Sequence, residues 1–293
     1  MTKAELDRLE PLQRVAWQSA LWTVDSTAPL TSGLRVRPDF LIVGAQRCGT
    51  TSMFKTLSQH PQVVRPFLRK GIHYFDMYYD KGPRWYGGHF PFKATAARGG
   101  GQGRRITGES SPYYMFHPLA RQRLAADLPN VKVIVMLRDP VVRAYSAHSH
   151  EVARGFETLE FEQALGAEAG RLAGERERLM TDPGHQSEHW QHHAYLTRGQ
   201  YIEQVQALED LLGRDRMLVV DSEDFFVDPE PAFAQVLEFL NLDKADGIEF
   251  ERHNSRSRSP LDDSLRAKLE GHFEPYDNAL ADWWARTPSW RRG

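Results

Sequence analysis

Phe40-Leu41-Ile42-Val43-Gly44-Ala45-Gln46-Arg47-Cys48-Gly49-Thr50-Thr51-Ser52 is the stretch whose reading decides the fold. Its first four residues are a continuous apolar run, as expected of a strand covered on both faces. A loop bounded by Gly44 and Gly49 follows, and then Met53, Phe54 and Leu57 fall on one face of a helix. Strand, loop and helix in this order make an anion cradle. The first amides of a helix lack intrahelical partners, and the helix dipole favours negative charge beside them. Against the pattern GxxxxGK[ST], both glycines are in place, but Thr50 stands at the lysine position. The loop therefore predicts a phosphate site that is not the usual one for a triphosphate with magnesium.

A second apolar run, Val131 to Leu137, predicts another buried strand and ends in Arg138-Asp139-Pro140. Proline is tolerated at a helix start, so a helix opens at Pro140 and carries Ser146 almost two turns in. Arg138 then sits at the carboxyl end of a strand, where open α/β sheets bind ligands. An arginine fork with a nearby hydroxyl suits a second phosphate. The plainer reading of Arg138 is an ion pair with Asp139. Two anion sites on neighbouring strand–helix units suit one nucleotide with phosphates at both ends of its ribose.

Farther out, the pattern predicts a helix over 5–24, a turn-rich linker over 25–38, and an aromatic, irregular stretch over 69–93. A glycine-rich loop spans 98–105. A short strand ends in 107–112 and a helix covers 118–127. Residues 155–193 are polar and helical in tendency, and read as a lid or substrate-side insertion. Helices over 200–212 and 229–240 flank a strand at 217–220. A basic loop over 252–258 precedes a helix at 261–273. The alternation predicts one α/β domain, with 1–38 as N-terminal helix and linker and 39–293 as core. The expected architecture is P-loop-like and three-layered, with a central, mostly parallel sheet flanked by helices.

The 293 residues carry 37 basic and 39 acidic side chains, a formal charge of -2. No global basic field recruits nucleic acid, so the anion sites must be local. Cys48 is the single cysteine, which rules out an intrachain disulfide. The charged first ten residues lack a signal core, and the apolar runs are too short to span a bilayer. These features predict a soluble, cytoplasmic protein. His185, His189, His192 and His193 lie in a polar stretch without a carboxylate pattern, so no metal site is assigned. Cys48 reads as a small loop residue, since no arginine follows it within the loop.

Several segments together carry a resemblance. They are the loop itself, His73-Tyr74-Phe75-Asp76, Gly108-Glu109-Ser110-Ser111-Pro112-Tyr113, Leu137-Arg138-Asp139-Pro140 with Arg143-Ala144-Tyr145-Ser146, and Arg198-Gly199-Gln200-Tyr201. In order and spacing, from about Asp39 to Trp284, they resemble the sulfotransferases that use 3′-phosphoadenosine 5′-phosphosulfate. The likeness is to the branch of heparan sulfate N- and 3-O-sulfotransferases and their bacterial relatives. It implies that this donor is the cofactor and adenosine 3′,5′-bisphosphate its product. It also implies that Gly49, Thr50, Thr51 and Ser52 hold the 5′-phosphate and that Arg138 and Ser146 hold the 3′-phosphate. Tyr201 joins the nucleotide contacts, and Arg256 or Arg258 match a basic closing loop. Arg47 takes the place of the family's catalytic lysine, and His150 matches a histidine of the N-sulfotransferase branch. The implied acceptor is a hydroxyl or amine of a glycan, lipid or secondary metabolite.

One departure stands out. The glutamate base that follows the lysine matched by Lys70 is replaced by Gly71. His150, then His73 and Glu109, are the candidates to replace it. The lysine of the family's Glu-Lys-Ser/Thr segment is also replaced, by Ser110. Two competing readings follow from these departures. One is a nucleotide-binding homologue that has lost catalysis. The other is a degenerate P-loop kinase, with Asp139 as the one strand-end acid for magnesium.

Overall fold

The computed structural model describes residues 10–66, 68–97, 104–251 and 260–292. Among them are four strands: β1 (Phe40–Gly44), β2 (Gly108–Ser110), β3 (Lys132–Leu137) and β4 (Met217–Asp221). They form one sheet in the order β2-β1-β3-β4. Every pairing is parallel. Continuous apolar runs make this arrangement possible, because all five residues of β1 are buried. Helices packed around this sheet complete the expected P-loop-like layering.

The strand order places the site. After β1 the chain moves outward to β2, and after β3 it moves the opposite way to β4. The crevice outside the carboxyl ends of β1 and β3 is therefore the topological switch point, where open α/β sheets bind ligands. Two strand–helix junctions flank it. One joins β1 to α2 (Thr50–Leu57), and the other joins β3 to α7 (Pro140–Arg154). The Ala45 amide donates to the Met136 carbonyl at 2.7 Å, which pins the first loop to the neighbouring strand.

Two sequence expectations change. The N-terminal helix α1 runs over Pro11–Thr31, through Pro29 and past the expected end at 24. The cause is tertiary. Ala28 is fully buried, and a Cβ on Gly88, which follows α4 (Gly82–Gly87), would lie 2.2 Å from its Cα. That close backbone approach holds the last turns as helix where propensity alone suggests a linker. The C-terminal helix α14 likewise runs over Asp263–Trp284, through Pro275. Between α1 and α7 lie three further short helices and the first half of the site's supports. They are α3 (Tyr74–Met77), α5 (Lys93–Ala97) and α6 (Pro118–Asp127).

The 155–193 stretch folds as α8 (Phe161–Leu172), α9 (Glu175–Thr181) and α10 (Glu188–His192). Buried carboxylates hold it, which explains its weak apolar pattern. Glu168 accepts from the amides of Tyr195 (2.8 Å), Leu196 (2.6 Å) and Thr197 (2.8 Å). Glu157 accepts from Arg171 at 2.6 and 3.2 Å. Trp190 adds a stacked contact with Phe116, ring centroids 4.7 Å apart.

The remaining elements are α11 (Tyr201–Leu212), α12 (Ser222–Val227) and α13 (Pro229–Leu240). Among the described residues, no helix is long and apolar enough to cross a membrane. A cavity of about 1220 Å³ lined by Arg37, Arg84, Lys93 and Lys132 opens at the amino ends of the strands, the far end of the sheet from the crevice.

Candidate active site

The loop after β1 turns into α2 at Gly49, whose φ of +78° only glycine adopts without strain. A Cβ there would also stand 2.7 Å from the Phe226 ring. Arg47 holds a left-handed backbone as well, φ +70°, which is costly for a residue with a side chain. Its guanidinium Nε donates to the Ser146 hydroxyl at 3.1 Å. Thr50 and Ser52 are buried beneath the loop. Lys70 Nζ donates to the Thr51 hydroxyl at 2.9 Å. A lysine thus reaches this cradle from another segment, although none stands at position 50.

Cys48 is buried, and burial pushes its thiol up to about 11 despite the nearby Arg138 and Arg143 charges. It is a neutral packing residue at physiological pH and not a nucleophile. Its backbone carbonyl accepts from Ser222 Oγ at 2.7 Å.

At the second junction, Arg138 does not pair with Asp139. Its Nε donates to Glu223 Oε1 at 3.2 Å, and its Nη1 to the Arg47 carbonyl at 3.4 Å. Asp139 instead caps α7 through the Val141 and Val142 amides, at 2.8 and 3.3 Å. It also pairs with Arg266 at 3.0 Å. The kinase reading thereby loses the acid it needed for magnesium. Tyr201 is fully buried, and its hydroxyl donates to the Arg138 carbonyl at 3.0 Å. Tyr201 therefore lies beneath the crevice and fixes the strand end. Arg256 and Arg258 lie outside the described residues.

The three base candidates separate. Glu109 is wholly buried and accepts from the Ile72 amide (2.6 Å), Ser111 Oγ (2.7 Å), Tyr114 OH (2.8 Å) and Tyr86 OH (3.1 Å). Burial raises its pKa, and with four donors around it the carboxylate is a structural clamp with no access to an acceptor. It drops out as a base. His150 lies one helical turn beyond Ser146 on α7 and is half-buried beside Glu151.

His73 precedes α3, with side-chain exposure of 36%, and its Nδ1 lies 2.9 Å from Asp76 Oδ2. A carboxylate only accepts, so Nδ1 carries the proton and Nε2 presents its lone pair. Burial alone would lower the His73 pKa, but the Asp76 carboxylate overrides it and the pKa is raised. The His73 amide donates to Ser111 Oγ at 3.1 Å, which seats the residue beside β2.

Gly71 explains the absent glutamate. A Cβ at this position would lie 2.5 Å from the Ser110 carbonyl oxygen and 3.0 Å from Ser111 Oγ. The backbone here leaves no room for any side chain. The substitution is thus structural as well as chemical.

A polar chain ties the 155–193 stretch to the loop. Gln46 Nε2 donates to Glu151 Oε1 at 3.5 Å, while Gln46 Oε1 accepts from Arg198. Glu151 also holds His192 Nδ1 at 2.9 Å. The other histidines of the cluster find separate partners. His185 meets Glu175 at 3.1 Å, and His189 meets His193 at 2.9 Å.

Arg47, Thr51, Lys70, Arg138 and Ser146 thus converge on one crevice, with His73 close enough to feel the Lys70 charge. Sequence reasoning left Lys70, Asp76, Ser222 and Glu223 without roles. Asp76 carried a signal in its spacing of three from His73, one helical turn. Ser222 and Glu223 carried none.

The comparisons agree with this geometry. The family described as sulfotransferase domain matches residues 37–258. The membrane-associated sulfotransferase kil1 of Dictyostelium discoideum is 23% identical over 90% of this chain and 68% of its own length. The human heparan sulfate glucosamine 3-O-sulfotransferase 3B1 is 27% identical over 86% of this chain, which spans 58% of that enzyme. The chain spans only 26% of a similar bifunctional heparan sulfate N-deacetylase/N-sulfotransferase of Caenorhabditis elegans. A crystal structure of a sulfotransferase from Alicyclobacillus acidocaldarius superposes with a TM-score of 0.61 at 31% identity, covering 88% of this chain and all of that one. With the family matched over most of its length and the strand-end site in place, this chain belongs to the sulfotransferase family.

Proposed function

We propose that this sulfotransferase takes its sulfonate group from 3′-phosphoadenosine 5′-phosphosulfate and passes it to a hydroxyl or amine of a glycan. The observation that carries the reading is the pair of cationic strand ends across the switch point, joined by the Arg47–Ser146 hydrogen bond. The donor set fits a nucleotide with phosphates at both ends of its ribose. Hydroxyls and cations meet at the crevice from two sides, and Glu223 accepts from Arg138 there. When bound, the nucleotide supplies an activated sulfonate on a phosphate leaving group.

Each residue then has a task. The first amides of α2, with Gly49, Thr50, Thr51 and Ser52, hold the 5′ end. Lys70 adds the cation that position 50 lacks. Arg138 and Ser146 hold the 3′-phosphate, and Tyr201 holds Arg138 from below. Arg47 stabilises charge that grows on the leaving oxygen, and as a guanidinium it does so without giving up a proton. His73 takes the acceptor proton on Nε2, and Asp76 stabilises the imidazolium that results. His150 is a second positioning group on the α7 side.

The heparan-modifying names of the relatives support a glycan acceptor. The single, buried cysteine supports work in a reducing compartment such as the cytoplasm. The test is transfer of radiolabelled sulfonate from the donor to a panel holding unsulfated and N-deacetylated glycans, phenols and lipid alcohols. Label in the glycans is the expected result. Tight nucleotide binding with no transfer to any acceptor contradicts catalysis and favours an inactive homologue.

A further inference from the structure

The junction of β4 with α12 carries no sequence motif, yet two consecutive side chains of it contact the two strand–helix junctions that flank the crevice. Ser222 is fully buried, and its Oγ donates to the Cys48 carbonyl at 2.7 Å, one residue before the glycine that starts the anion cradle. Glu223 accepts from Arg138 Nε at 3.2 Å. The two contacts span 174 and 85 positions of chain. The junction is itself fixed. Asp221 accepts from the Glu223 amide at 3.1 Å and from the Asp224 amide at 3.3 Å. It also takes the Ser289 amide at 2.8 Å and the Ser289 hydroxyl at 2.7 Å.

We infer that Ser222 and Glu223 are positioning residues that set the two ends of the nucleotide site separately, Ser222 the 5′ cradle and Glu223 the 3′-phosphate fork. This rests on the reading of Arg138 as the 3′-phosphate ligand. A guanidinium has five donors in a rigid plane. Glu223 engages the Nε edge, and the Arg47 carbonyl takes one hydrogen of Nη1. Among the described residues nothing takes the Nη2 donors, which leaves them for an anion, and the plane cannot rotate while both contacts hold. Arg138 is mostly buried, with 14% of its side chain exposed, so the orientation is defined before any ligand arrives. Preorganisation of this kind raises affinity by removing an ordering cost. The Ser222 contact does the same for the loop, since it satisfies a buried carbonyl where the backbone turns left-handed.

The two roles predict different binding signatures. Calorimetry would compare adenosine 3′,5′-bisphosphate with adenosine 5′-phosphate on wild type, Glu223→Gln, Glu223→Ala and Ser222→Ala, with melting temperatures recorded for each. Glu223→Gln keeps the shape and a neutral acceptor, and so weakens the bisphosphate about five- to ten-fold and leaves the monophosphate unchanged. Glu223→Ala widens that loss. Ser222→Ala weakens both ligands by the same factor. Tighter bisphosphate binding by Glu223→Gln would overturn the inference, since the carboxylate would then repel the phosphate. Equal losses for both ligands in the Glu223 variants would overturn it too. A wild type that does not prefer the bisphosphate would show instead that Arg138 is not the 3′-phosphate ligand, and the inference would fall with that reading.

Discussion

Arg47 and Ser146 share a hydrogen bond, guanidinium Nε to hydroxyl oxygen at 3.1 Å, although they belong to different strand–helix units. The contact bridges the crevice between β1 and β3. Under the proposed function it sets Arg47, beside the leaving group, within reach of the 3′-phosphate side. Arg47→Ala should lower kcat by about 10²–10³-fold, the scale seen when one preorganised charge-stabilising donor is removed. Its melting temperature should stay near wild type, because Arg47 is only partly buried. Arg47→Lys should keep part of the rate, since a lysine supplies the charge but not the planar fork. Steady-state kinetics with circular dichroism checks both. Wild-type turnover in Arg47→Ala contradicts its role.

The His73–Asp76 pair predicts a pH profile. A base must be neutral to act, and the Asp76 carboxylate raises the His73 pKa above its ordinary 6.5. The log of kcat/KM should therefore climb with pH and level off with a midpoint above 6.5. Asp76→Asn should move that midpoint down and lower the plateau. His73→Ala should cost roughly 10²–10⁴-fold. The stability linkage runs the other way. The pair's contribution is full below pH 6.5 and fades as pH rises through the raised folded value. A midpoint unmoved by Asp76→Asn rules the pair out as the base.

Restoring the expected glutamate should fail. A Cβ at position 71 would stand 2.5 Å from the Ser110 carbonyl oxygen, a backbone atom that cannot swing aside. Gly71→Ala should destabilise the fold by about 1–3 kcal/mol, the usual range for overpacking. Gly71→Glu should cost at least as much and lower the rate of transfer. A Gly71→Glu variant that is stable and faster would show that this backbone accommodates the base after all.

Glu157 anchors the 155–193 stretch and should report on acid stability. Burial alone would raise its pKa. The Arg171 fork, the Thr158 and Leu159 amides and the Tyr195 hydroxyl override burial and hold it at about 2. A depressed carboxyl stabilises the fold above its unfolded value, so this contribution is full above pH 4.5 and is lost as pH falls through 2. Glu157→Ala leaves Arg171 without its carboxylate and should cost about 3 kcal/mol at neutral pH. Denaturant melts as a function of pH measure both. A Glu157→Gln variant that loses stability in acid as steeply as wild type would assign the effect to other groups.

What could be read from the sequence was local in chain. The strand Phe40–Gly44, its loop and α2 are contiguous, and Arg138 and Ser146 lie on one strand–helix unit, so apolar runs, glycines and helical spacing reveal them. What could not be read depends on distant contacts. The last turns of α1 are helical because Ala28 meets Gly88, 60 positions away. The three helices of 155–193 are held by Glu157 and Glu168, which look like solvated charges in the sequence. Gly71 looked like a lost catalytic group, and only the carbonyl of Ser110 gives its steric reason. Glu109 reads as a candidate base in the sequence, and only its four buried donors show it to be a clamp.

The most direct test of the central claim is a crystal structure with adenosine 3′,5′-bisphosphate. The account predicts one molecule across the switch point, its 5′-phosphate on the amides of Thr50 to Ser52 and its 3′-phosphate between Arg138 and Ser146. A nucleotide bound elsewhere, or bound in this crevice with its two phosphates exchanged, contradicts it.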